Sequence, residues 1–151
     1  MNSKCLVSFL FAFVFAGARL HAAEHDTALL NTLGYTTGQA ILLTHMAVGT
    51  LADATVSKTY KADKAGTFIA TYINVTKGMK DQMNKLIEAK TLSENDNQFV
   101  KNTVDVLDLV LKESEALKAY IQTGAAKEAT EYDKARQTAL KDVKTLLGMK
   151  D

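Results

Sequence analysis

Two histidines, His25 and His45, are the imidazoles available for chemistry outside the first 23 residues of this 151-residue chain. They stand 20 residues apart in one apolar-periodic segment. A helix rises about 1.5 Å per residue, so one rigid helix would hold them far apart. No carboxylate–x–x–His spacing of a di-iron bundle accompanies them. His45 is therefore read as a surface histidine, and no metal site is expected. Met46, Met79 and Met83 could pair with His45 as axial haem ligands. No histidine follows His45, though, and methionines at helical spacing ordinarily fill cores. No cofactor is expected.

Four carboxylates fall close together at Asp105, Asp108, Glu113 and Glu115. Lys101 and Lys112 are interleaved with them, and Asp105, Asp108 and Glu115 project away from the apolar stripe of their segment. Such carboxylates read as a solvated face, whereas acid–base catalysis needs a tuned group. The residues Glu94–Asn97 lack the glycine and terminal glutamate of a calcium loop and read as a helix cap. There is no Gly-x-Ser-x-Gly elbow and no glycine-rich phosphate loop. Asn74-Val75-Thr76 matches a glycosylation acceptor but lies in a helical pattern, and the match is read as chance. The chain is not expected to be an enzyme.

Elements must position whatever these residues do. Lys4 is followed by an uncharged run of 13 residues, Leu6 to Ala18, then Arg19 and the small pair Ala22-Ala23. The run is short for a membrane span, which needs about 20 apolar residues. The pattern is that of a secretory signal peptide over residues 1–23, with cleavage in the Ala22–Glu24 region. The single cysteine, Cys5, falls within it. Lys4 and Arg19 leave with the peptide, so the 18 basic and 17 acidic residues of the whole chain become 16 and 17. The product is an exported, cysteine-free protein, periplasmic or extracellular, that must hold itself together without disulfides. Thiol catalysis, cysteine-ligated zinc, iron–sulfur clusters and covalent haem are excluded with the cysteine. A balanced charge without a basic cluster argues against nucleic acid as a partner.

Residues 24–151 contain no proline, which permits long helices. Four stretches show helical period: about Asp26–Ser57, Asp63–Ala89, a third opening at Thr91/Glu94 or Ser93/Asp96, and Ala126–Leu147. Gly124 and Gly148 are placed to end the last two. Short connections near Lys90 and Gly124 favour antiparallel neighbours. The expected fold is all-α, an antiparallel up-down-up-down four-helix bundle. Gly34 and Gly38 are where the first helix would kink or break, leaving a three-helix core as the other arrangement.

The first helix is unusual. No Asp, Glu, Lys or Arg occurs from Thr27 to Ala52, although a surface helix is normally charged on its solvent side. Its core face is taken as Leu29, Leu33, Ala40, Leu43, Ala47 and Leu51, widened by Leu30, Ile41 and Val48. A second apolar strip, Tyr35, Leu42 and Met46, falls with His45 near the opposite side. Asn31, Thr36, Gln39 and Thr44 make the segment too polar for a second membrane span, so none is expected after the signal is removed. Tyr35, Leu42, His45 and Met46 are thus candidate binding residues. The partner would be another protein or a second copy of the chain. A small-molecule binding or sensing bundle is the other reading, with an interhelical pocket lined by Tyr35, Met46, Phe68, Tyr72 and Met79.

Overall fold

The computed structural model describes the backbone of residues 3–149 and the side chains of residues 27–149. Four helices account for it: α1 (Ser3–Val56), α2 (Ala62–Ala89), α3 (Glu94–Thr123) and α4 (Ala126–Leu146). The fold is all-α, a four-helix bundle, with no strand among the described residues. The signal-peptide segment and its cleavage region lie outside the residues whose side chains are described. Gly34 and Gly38 do not break the first helix, which continues through both. Among the described residues, no helix is long and apolar enough to cross a membrane.

The chain forms two compact units, residues 1–36 and 37–151. The first is helical. Of its described side chains, Leu29 and Tyr35 are exposed, and the Thr32 hydroxyl donates to the Ala28 carbonyl at 2.9 Å.

The second unit holds the core. Its main apolar cluster joins Val48, Leu51 and Ala52 of α1 to Ala65, Ile69 and Ile73 of α2, Leu111, Leu117 and Ile121 of α3, and Tyr132 of α4. Helix ends follow local chemistry. Ser93 caps α3, its Oγ accepting from the Asp96 amide at 3.2 Å. Gly124 closes α3 with φ 65°, and its N–H donates to Tyr120. That left-handed conformation costs glycine little and other residues more. Lys90 ends α2 in the same conformation, φ 54°, without that advantage. At the α1–α2 connection, Lys64 Nζ lies 4.5 Å from the Tyr60 ring centroid, and Tyr60 packs against Phe68 with ring centroids 5.4 Å apart.

The inward face of α1 overlaps the expected one at Ile41, Val48 and Leu51 but is turned around the helix from it. Within residues 37–56 the buried positions are Thr37, Gly38, Ile41, His45, Val48, Gly49, Leu51 and Ala52. Leu43, assigned to the core face, is exposed, as is Leu29 in the first unit. The leucine stripe lies well round the helix from the buried one. The physical reason is contact distance. Gly38, Gly49 and Ala52 let their neighbours come close, and they face inward together with Ile41, Val48 and Leu51.

Candidate functional site

Once α1 takes this phase, His45 points inward. It is 4% exposed, and Glu113 on α3 is fully buried. His45 Nδ1 and Glu113 Oε2 are 2.7 Å apart, a short charge-assisted hydrogen bond across 68 residues of sequence. The reading of His45 as a surface histidine on the outer strip is therefore corrected. Glu113 sits three residues after Val110 and four before Leu117, both fully buried, so helical geometry places it on the apolar face of α3. The other three carboxylates of that run behave as the sequence suggests. Asp105 and Glu115 are exposed, and Asp108 accepts from Lys80 Nζ of α2 at 2.5 Å in a half-exposed pair.

Two residues of α4 complete the cluster. Arg136 lies directly over Gly49 of α1, whose missing side chain makes room for the guanidinium. Its positive charge acts on both Glu113 and Tyr132. Tyr132 is buried beneath it, and neither its hydroxyl nor Glu113 Oε1 has a hydrogen-bond partner. Burial pushes the Glu113 carboxyl above its usual range, although the His45 hydrogen bond, the His45 charge and Arg136 all pull the other way. Burial likewise raises the Tyr132 phenol, against the pull of Arg136.

Chemically, a histidine held by a carboxylate is half of an acid–base device. This pair has no surface through which a substrate could reach it, since both side chains are buried. No group of three or more His, Cys, Asp or Glu suited to a metal ion occurs among the described residues. The cluster is therefore internal: it couples α1, α3 and α4 to one another.

The remaining candidate binding residues lie elsewhere. Within the second unit, Met46 is 56% exposed and Leu42 is half-buried, and the neighbouring Leu43 is 63% exposed. Tyr35, in the first unit, is 72% exposed. Of the residues expected to line a pocket, Phe68 and Tyr72 pack against the core cluster. An open groove of about 780 Å³ does run between α2 and α3, but over Gly66, Thr67, Ala70, Asn74, Lys118 and Gln122. In the Asn74-Val75-Thr76 sequence, Thr76 is fully buried, and its hydroxyl donates to the Tyr72 carbonyl at 2.8 Å.

Sequence reasoning placed Glu113 in a solvated carboxylate face, where the structure buries it, and missed Arg136. Both carried a signal. Glu113 interrupts an apolar stripe at a core position, and Gly49 marks where another helix or a long side chain approaches α1 closely.

No protein-family model matches the chain, and no curated protein or solved structure matches it either.

Proposed function

We propose that this is an exported, non-catalytic helical-bundle protein that works by self-association through the outer face of α1. The observation that carries this reading is the exposure of Leu43 and Met46 on a helix without an acidic or basic side chain from Thr27 to Ala52. Exposed leucine and methionine on an uncharged helix surface suit a protein interface better than bulk solvent. The threonines strengthen the point. On the same side, the Thr50 hydroxyl donates to the Met46 carbonyl at 3.0 Å and so spends its proton on its own helix.

A second copy is the occupant that fits best. Twofold pairing brings each surface against itself, and a face charged with one sign then meets like charges. An uncharged face carries no such penalty. Light scattering on the purified mature protein tests this. The expected result is a dimer or higher oligomer that becomes a monomer of unchanged helicity when Leu43 and Met46 are both replaced by Glu. A monomeric wild type overturns the reading.

Export rests on Lys4, the apolar run Leu6–Ala18 and the small residues at Ala22-Ala23. N-terminal sequencing of protein recovered outside the cytoplasm should begin within residues 23–25. An intact Met1 overturns export by cleavage.

A further inference from the structure

We propose that the buried His45–Glu113 pair, with Arg136 seated on Gly49, is the device that fixes which face of α1 turns toward the bundle. A helix ordinarily declares its solvent side by the charges it carries there. Residues 37–52 of α1 carry no Asp, Glu, Lys or Arg. The buried face of this stretch joins Ile41, Val48, Leu51 and Ala52 to Gly38, His45 and Gly49. A rotation of about 100° around the helix axis, the step from one residue to the next, brings Ala40, Leu43 and Ala47 inward and keeps Val48 and Leu51 with them. Both faces are apolar enough to cover a core. Asp53, exposed here, points outward in either phase and does not choose between them.

What separates the two faces is polar and steric. In the observed phase, His45 Nδ1 and Glu113 Oε2 meet at 2.7 Å between side chains that are both buried. The rotated phase turns His45 away from α3 and leaves Glu113, fully buried, without that partner. A buried carboxylate stripped of its hydrogen bond costs far more than a leucine left in water. Gly49 adds a steric test, because Arg136 Nη2 lies 2.7 Å from the place of a Cβ there. The rotation puts Val48 where Gly49 stood, and a branched side chain fills the seat of the guanidinium. It likewise puts Thr37 where Gly38 stands against Leu147. The buried pair thus supplies specificity for one arrangement rather than net stability. The same phase keeps Leu43 and Met46 on the outside. The device acts within one chain, whether or not two chains pair.

Thiol labelling tests this in the full chain carrying Cys5→Ser, which removes the native cysteine. Ala52→Cys places a thiol on the buried face, and Leu43→Cys places one on the exposed face. With His45 and Glu113 kept, the thiol at position 43 should label fast and the thiol at position 52 slowly. With His45→Leu and Glu113→Leu together, the thiol at 52 should label about tenfold faster or more, and the thiol at 43 about half as fast or slower, as the rotated phase fills. Mere loosening of α1 speeds both. A thiol at 43 that does not slow, or one at 52 that does not quicken, therefore overturns the proposal. Should the leucine pair not fold, His45→Met with Glu113→Met gives the same test with more pliable side chains. Loss of helicity in both double variants overturns it too, since the pair would then hold the fold together rather than choose a face.

Discussion

Arg136 Nη2 lies 2.7 Å from the point a Cβ on Gly49 would occupy, and its guanidinium carbon 3.1 Å from it. A glycine inside a helix normally costs stability, about 1 kcal/mol against alanine. At Gly49 the lost propensity is exchanged for a place where a cation from α4 rests against the backbone of α1. Gly38 is similar, since a Cβ there would meet Leu147 Cδ2 at 2.6 Å. Two glycines eleven residues apart thus leave room on α1 for the side-chain ends of Arg136 and Leu147.

A comparison among glycines checks this. Nothing lies within 4 Å of a Cβ added at Gly66 or Gly78 of α2. Gly66→Ala and Gly78→Ala should each stabilise the protein by about 0.5–1 kcal/mol, read from the urea midpoint. Gly49→Ala should gain distinctly less, because the guanidinium must move off its seat. An equal gain at all three sites would show that Arg136 takes nothing from its position over Gly49.

The His45–Glu113 pair predicts an asymmetry between breaking and replacing it. His45→Ala leaves Glu113 buried beside only Arg136 and should cost about 3–5 kcal/mol at neutral pH. Replacing both His45 and Glu113 by leucine removes the unpaired charge and should cost far less than the sum of the single changes. Chemical denaturation of the single and double variants measures the difference. Additive losses would mean that the two side chains do not depend on each other.

The Tyr132 hydroxyl should be dispensable. It is buried and has no hydrogen-bond partner, so its desolvation is uncompensated. Tyr132→Phe should leave stability unchanged or raise it by about 1 kcal/mol. A loss of that size in thermal or urea unfolding would mean that the hydroxyl serves the Arg136–Glu113 cluster.

Much of this architecture was legible in the residues. Gly124 and the second of the two capping registers, Ser93 with Asp96 rather than Thr91 with Glu94, marked the ends of α3 where the structure has them, because capping depends on a few adjacent atoms. The stripes of α3 and α4 were legible for a different reason: Leu107, Leu117, Tyr132 and Val143 are large apolar residues that also face inward. The phase of α1 was legible only in part, at Ile41, Val48 and Leu51. Leu43 and Ala47 lie on a different side from Gly38 and Gly49, and periodicity of hydrophobic residues follows the former. The groups that meet Gly49 and Gly38, Arg136 and Leu147, lie 87 and 109 residues further along the chain. On α2 the same effect is milder, with Ile69, Ile73 and Thr76 buried and Val75 exposed.

The cap at Ser93 gives a prediction that is independent of the buried cluster. Its Oγ accepts from the Asp96 amide at 3.2 Å and also donates to the Asp96 carboxylate at 2.6 Å. That carboxylate, with Glu94, lies in the first turn of α3, where negative charge meets the positive end of the helix dipole. Ser93→Ala removes the acceptor for one of the free amides and should cost about 1 kcal/mol. Ser93→Asp keeps an acceptor and should recover most of the loss, with the recovery shrinking as added salt screens the new charge. Stability of the three proteins at low and high salt checks both parts. A Ser93→Ala protein as stable as the wild type would mean that the Thr91 register carries the cap in solution.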